Sequence, residues 1–458
     1  MSKSYSFSWG DYRPHILHIL KLGYPILVGQ LGVMLIVLTD VVMVGHFSSL
    51  ALAASALGNG IFYGVLFALN GFTFGLKPPV AEADAQNKPE RVADLLAHGL
   101  LFFSGLCLIT LLFFKVFVSN LEYILFMQPP DVIAEAKPYM MWLAWSCVPH
   151  IMYHCLEQFV EGLSRTKISM VANVIGNVVH FALNYLLIFG HWGFPELGLV
   201  GAGVSTLVSR FVIFLTFLLY IVWDKDLSIY VGIIRKSFRL DTSYFKLLLS
   251  LGLPIALQMF FEVTAFTACM LMSGNIGKIE LAAHQIVLNI SILTYLVAAS
   301  FGQSSTIVLA RLAAQSQTVH QAGRIALAWV LFLMLVFGVL IMVFKTWVPL
   351  LYLSTDDPNF ETIRLMAAGL MFIVALYQIA DGAQVLLMGI LRGLQDVRMP
   401  TYLVLFAYWV IGIPSAYVFA FVLNGGIEGV WWGLCLGLFV SALLLVMRAE
   451  KLYRKRGL

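Results

Sequence analysis

Twelve apolar runs, each close to the length of a membrane-crossing helix, set the limits on what this chain can become. They lie near 15–45, 51–76, 92–118, 132–160, 168–190, 198–222, 243–273, 280–310, 322–348, 360–391, 399–422 and 427–447. A helix needs about 20 apolar residues to cross a hydrocarbon core about 30 Å thick. Of the 458 residues 60% are hydrophobic and 11% charged, where a soluble domain carries about 25% charged. The mean hydropathy is +0.90. The alternating segments of a membrane β-barrel are absent. The expected fold class is therefore an all-α polytopic membrane protein with twelve transmembrane helices and the lipid bilayer as its surroundings.

The connections between runs give an orientation. Of the 28 Lys and Arg, 22 fall on one side, among them Lys3, Arg13, Lys77, Lys88, Arg165, Arg239, Arg311, Arg392 and the tail from Arg448 to Arg456. Five (Lys115, Lys137, Lys278, Lys345, Arg364) fall on the other, and Arg210 lies inside a run. Positive charge stays on the cytoplasmic side, so both termini are expected there. The amino terminus carries no short apolar region followed by a cleavage site, and the first helix is read as the insertion signal. The net charge of +4 is accounted for by this bias and gives no reason to expect a nucleic-acid partner. The five cysteines sit in apolar runs without CxxC spacing, which points to neither disulfide nor zinc chemistry.

The sequence also repeats itself. "LGYPILVGQ" from Leu22 returns as "LGLPIALQM" from Leu251, and "EGLSRTK" from Glu161 returns as "RGLQDVR" from Arg392. Ala53 and Ala54 correspond to Ala282 and Ala283, and Ala85 and Gln86 to Ala314 and Gln315. Each half holds six runs, so the halves insert the same way up, as in transporters built from parallel repeats. The expected lobes are residues 1–230 and 231–458, two pseudo-symmetric six-helix bundles, divided at the polar stretch "WDKDLSIYVGIIRKSFRLDTS". The plain alternative is a duplication that only enlarged a scaffold.

Charge inside these runs calls for a reason. An acid at the centre of a membrane helix costs about 3 kcal/mol on insertion scales, and such residues face a bundle interior or a wet cavity. Glu262, Asp381 and Asp40 are three such acids. Gln258 lies one turn from Glu262, and Tyr377, Asp381, Gln384 and Met388 follow one helical stripe. His284, Ser291 and Tyr295 share a face, with Gln285 and Asn289 beside it, and Asn173, Asn177, His180 and Asn184 make a further stripe. Oxygen-rich clusters of this kind suit Na⁺, with Glu262 and Asp381 as its ligands, or a proton held on a carboxylate. The plain reading is that polar stripes tie helices together. It fits the asparagines better than the acids, because neutral amides would pack at lower cost. His150, His154, Glu157 and Glu161 form one more stripe. HExxH is absent, so lining a cavity wall fits better than a metal site, and Glu161 is expected either in solvent or against Arg165.

No GxxxxGK[ST] P-loop is present, and no ATPase subunit is expected. No GxSxG elbow or catalytic triad is visible, so an enzyme is not expected. No cofactor beyond a coupling ion is called for.

With "LGLPIALQMFFEVTAF", "AAHQIVLNIS", "LYQIADGAQVLLMGILRG", "EGLSRTK", "NYLLIFGHWGFPELGLVGAG" and "FAYWVIGIPSAYVFA" in this order, the chain resembles the multidrug and toxic compound extrusion (MATE) transporters of the NorM type along nearly its whole length. The resemblance implies export of lipophilic organic cation drugs in exchange for Na⁺ or H⁺ by alternating access of two lobes, in the cytoplasmic (inner) membrane of a bacterium. It implies Glu262 and Asp381 as cation-coupling carboxylates, Tyr377 and Tyr295 as their companions, and Asp40 as a first-lobe acid for coupling or drug binding. Gln285 falls where relatives approach substrate, and Gln258, Asn184, Asn289 and Gln384 are the polar candidates around it. Asn184 stands where another branch has an aspartate, and His180 where asparagine is common, which moves the expected coupling toward Glu262 and Asp381. A flippase for lipid-linked saccharides shares the broader fold. It calls for a cavity rich in cationic residues, whereas Arg210 alone lies well inside a run.

Overall fold

The computed structural model describes residues 9–125, 128–315, 319–352 and 358–456. Lys3, counted above among the cytoplasmic charges, lies outside them. Twelve long helices dominate the described residues: α1 (Trp9–Phe47), α2 (Ser49–Phe74), α3 (Pro89–Ser119), α4 (Pro130–Gly162), α5 (Thr166–Phe189), α6 (Leu199–Trp223), α7 (Thr242–Ile276), α8 (Lys278–Ala314), α9 (Val319–Phe344), α10 (Phe360–Gly393), α11 (Arg398–Val422) and α12 (Gly426–Arg456). Eleven are long and apolar enough to cross a membrane. The exception, α4, is 33 residues long. Its hydropathy is lowered by the buried polar stripe of His150, Glu157, Gln158 and Glu161. The chain is thus a multi-pass membrane protein, and α4 is the span whose polar face is turned inward.

The breaks have local causes. Ser48 is extended (φ −163, ψ 140) and its hydroxyl accepts from the Leu50 amide at 3.2 Å, ending α1 and starting α2. Gly190 closes α5 in the left-handed conformation (φ +69), which glycine adopts without a Cβ clash. Asp241 Oδ1 accepts from the Ser243 amide at 2.8 Å at the start of α7. In α11, which contains Pro414, the stretches Phe406–Gly412 and Val418–Val422 take the wider π-helical turn.

The repeat survives in the backbone. At the 229 offset α1 and α7 end on paired residues, Phe47 and Ile276, and Ala85 and Ala314 end paired segments. At the 231 offset α4 and α10 end on Gly162 and Gly393, each followed by a left-handed residue, Ser164 (φ +64) and Gln395 (φ +56). One asymmetry is clear. α8 runs unbroken to Ala314, whereas its counterpart breaks after Phe74 and resumes as a short helix, Lys77–Ala85.

Contacts divide the chain into two compact units. One is Val28–Leu257, and the other is Gln258–Leu458 with the chain up to Leu27, so the division falls inside α1 and α7. In the first unit a continuous apolar core runs from Val44 through Phe103, Tyr139 and Phe159 to Phe217 and Leu248. In the second unit, glycines let backbones approach. A Cβ at Gly389 of α10 would collide with the Gly302 carbonyl of α8, and one at Gly433 of α12 would collide with the Ala416 backbone of α11. Thr306 Oγ1 donates to the Gly389 carbonyl at 2.8 Å, fastening α8 to α10. Small residues at helix contacts are the rule in membranes, where close packing replaces hydrophobic expulsion as the driving force. α10 is the most enclosed span, and it carries Asp381.

Candidate functional site

In the unit that holds Gln258–Leu458, Glu262 and Asp381 come together. Glu262 Oε1 accepts from Gln258 Nε2 one turn earlier on α7 (3.0 Å) and from Gln384 Nε2 on α10 (3.0 Å). Glu262 and Asp381 interact electrostatically, and the hydroxyls of Tyr377 and Tyr295 feel both charges. Asp381 is 5% exposed and, among the described residues, forms no hydrogen bond or ion pair. Tyr377 stacks edge-on against Trp431 of α12 at 5.6 Å. Neither acid is locked to an arginine. Arg392 Nη2 donates to Gln258 Oε1 at 2.9 Å, so an amide stands between that guanidinium and Glu262. A carboxylate held by neutral amides keeps most of its charge for a partner that arrives later.

Tyr295 differs from the buried residues on its helical face. His284 and Ser291 are buried, but Tyr295 is 37% exposed. Gln285 and Asn289 pair with each other on α8 at 3.4 Å toward its exposed side, apart from the Glu262 cluster.

Asp40 belongs to the other unit. It is buried at 4% exposure and its Oδ1 accepts from Asn184 Nδ2 at 2.7 Å and from His180 Nε2 at 2.8 Å, both on α5. Ser209 of α6 stands 3.4 Å from the other ring nitrogen of His180. Tyr63 and Tyr139 lie within electrostatic reach of Asp40. Asn184 Oδ1 is buried with no hydrogen-bond partner. The asparagine stripe read from the sequence is therefore in part the cradle of an acid.

The α4 stripe is wired into the same unit. His150 meets Asn70 at 2.9 Å, Asn173 donates to Glu157 at 3.3 Å, and His154 Nδ1 lies 2.8 Å from Glu157 but out of line for a hydrogen bond. Glu161 is neither in solvent nor against Arg165. It forms a fully buried ion pair with Lys77 at 2.6 Å, while Arg165 turns to Asp224 and Asp226. The reason is the break after Phe74, which turns Lys77 inward under α4 instead of leaving it in a solvated connection.

The MatE family model matches residues 25–186 and 254–418, one block in each repeat. The chain belongs to this family. Solved MATE structures share its fold. One, in complex with MaL6, is 19% identical with a TM-score of 0.88, covering 96% of either chain. A eukaryotic MATE transporter is 19% identical with a TM-score of 0.84, covering 97% of this chain and 98% of its own. A MOP-superfamily transporter from Pyrococcus furiosus is 20% identical with a TM-score of 0.85, covering 96% of either chain. The protein is thus a MATE transporter with two pseudo-symmetric six-helix lobes.

Within this MATE fold two residues near Glu262 carry little mark in the sequence of their place at the site. Arg392 was counted with the cytoplasmic charges, yet it reaches back to Gln258. Its repeat partner is Glu161, itself drawn into a buried pair, and that correspondence was the available signal. Tyr408 of α11 is 2% exposed, with its hydroxyl 3.2 Å from Gln384 Nε2. Its signal was only an aromatic residue in an apolar run.

Proposed function

We propose that this MATE protein is a secondary active multidrug exporter that exchanges lipophilic organic cations for Na⁺ or H⁺, with Glu262 and Asp381 as the coupling acids. The observation that carries this reading is the pairing in one unit of a partly buried carboxylate, Glu262, held only by amides, with a buried one, Asp381, that has no hydrogen-bond or ion-pair partner among the described residues. Two like charges at close range in a low-dielectric setting repel strongly. A cation relieves that repulsion. A small ion and a drug cation cannot both do so at full strength, and this competition is the coupling.

In the proposed cycle the ion neutralises Glu262 and Asp381 when the site is open to the outside, drug affinity falls, and the drug leaves. The two repeats, residues 1–230 and 231–458, then change their relative arrangement, the ion dissociates inward, and the acids again attract a lipophilic cation. Tyr377, Tyr295 and Trp431 supply aromatic faces to such a cation, each contact worth about 0.5–2 kcal/mol. Gln285 and Asn289 on α8 are proposed as substrate contacts, and the Asp40–Asn184 pair as a first-lobe site for either drug binding or ion coupling. Setting in a bacterial inner membrane is proposed from the family resemblance, and cytoplasmic termini from the charge bias.

The test is ethidium efflux driven by imposed Na⁺ and pH gradients applied separately. Glu262→Gln and Asp381→Asn are expected to reach the membrane and to lose gradient-driven efflux. Normal efflux in both would refute the assignment.

A further inference from the structure

Among the described residues, the helix with the π-helical turns, α11, meets the immediate neighbours of the acid pair. The π-helical turn Phe406–Gly412 carries Tyr408 and Trp409. The Trp409 indole donates to the Phe261 carbonyl of α7 at 3.1 Å, one residue before Glu262. Tyr408 Oη accepts from Gln384 Nε2 of α10 at 3.2 Å. Consecutive residues of an α-helix diverge by about 100°, and π turns inside α-helices are frequent at functional sites. Here one such turn reaches both helices that carry the coupling acids.

Gln384 is the hinge of this arrangement. Its Nε2 is shared between Glu262 Oε1 and Tyr408 Oη. Its Oε1 is buried and unpartnered. A buried carbonyl oxygen left without a donor is costly, so such a group points to a missing ligand. The reverse orientation of the amide would set Oε1 against Glu262 Oε1, acceptor against acceptor whenever that carboxylate is ionised. With Nε2 pinned on two oxygens, Oε1 is held as an open hard-oxygen ligand beside the carboxylate, the kind of donor a small hard cation takes.

We propose that Tyr408 is a positioning residue of the coupling-ion site: its hydroxyl fixes the Gln384 amide so that Gln384 Oε1 is presented to the ion bound at Glu262. This rests on the reading of Glu262 as a coupling acid. The plain alternative is that Tyr408 is packing, since its ring also lies 6.2 Å from Phe266. Tyr408→Phe separates the two, because it keeps the ring and removes only the hydroxyl.

The experiment measures efflux in proteoliposomes against the concentration of whichever ion drives transport. Losing one hydrogen bond that orders a ligand should raise the half-saturating ion concentration in Tyr408→Phe roughly tenfold, with the rate at saturating ion little changed. Packing loss would instead lower the rate at every ion concentration, and that result, or an unchanged half-saturation, overturns the proposal. Gln384→Leu removes the amide itself and should raise half-saturation at least as far. Because the hydroxyl acts through the amide, adding Tyr408→Phe to Gln384→Leu should change nothing more, and additive effects count against the proposal. Tyr417→Phe, an exposed tyrosine of the same helix, should behave as wild type. Glu262→Gln is run in parallel. Intact ion dependence there removes the underlying reading, whereas loss there with a silent Tyr408→Phe removes only the role of Tyr408.

Discussion

At the scale of single residues, the chain treats the charges within its helices in two ways. Lys77 and Glu161 neutralise each other at 2.6 Å, both about 2% exposed. Glu262 and Asp40 are held by amides and, for Asp40, by an imidazole. The first arrangement is structural. Removing one partner of a buried pair leaves an uncompensated charge, at a cost of about 3–5 kcal/mol. Lys77→Met should therefore lower thermal stability in detergent markedly, and Lys77→Met with Glu161→Leu should recover most of the loss. A double variant as unstable as the single one would show that Lys77 matters for something other than its charge. The sequence located Lys77 and Glu161 but not their pairing. A charge count assigns a residue to a side of the membrane by its place along the chain, and the break after Phe74 decides where its side chain goes.

At the scale of elements, spans were legible because apolar length is written directly in the residues. α4 was legible as an apolar run near 132–160 although it lacks the hydropathy of the other eleven. The π turns of α11 were not legible. A π turn differs from an α turn by a shift of one hydrogen-bond acceptor, and no residue type marks that shift uniquely. Nor were the glycine contacts, since a glycine in an apolar run does not say which backbone it meets. They predict clear effects. Gly389→Val must push α10 away from α8 and displace Asp381 with it, so both thermal stability and ion-driven efflux should fall. Retention of full efflux would mean that the α8–α10 contact does not position the site. At the start of α7, the hydrogen bond from the Ser243 amide holds the exposed Asp241 carboxyl below its ordinary range. A depressed folded value means that this contribution to stability is present above the unfolded value, about 3.9, and fades as pH falls through the folded one. Asp241→Asn should flatten that acid limb of a melting-temperature profile, and an unchanged limb would count against it.

At the scale of the whole molecule, duplication kept the frame while the chemistry diverged. The two repeats end their helices on matched residues, Gly162 with Gly393 and Phe47 with Ile276. Their acids, however, do not match. Val33 occupies the place of Glu262, and His150 that of Asp381. Asp40 arises separately on α1, against His180 and Asn184 on α5. One local device does recur: an amide nitrogen on the carboxylate with the amide oxygen left open, Gln384 beside Glu262 and Asn184 beside Asp40. The repeat and the identity of the acids could be read from the sequence. Which amide meets which acid could not, because those partners lie up to 144 residues apart along the chain.

The central claim is that ion and drug compete for Glu262 and Asp381, and it is tested most directly on purified protein by measuring Na⁺ or H⁺ released when a lipophilic cation is added. The account predicts release from the wild type and none from the combined Glu262→Gln and Asp381→Asn variant. Undiminished release from that variant, with the drug still bound, would contradict it.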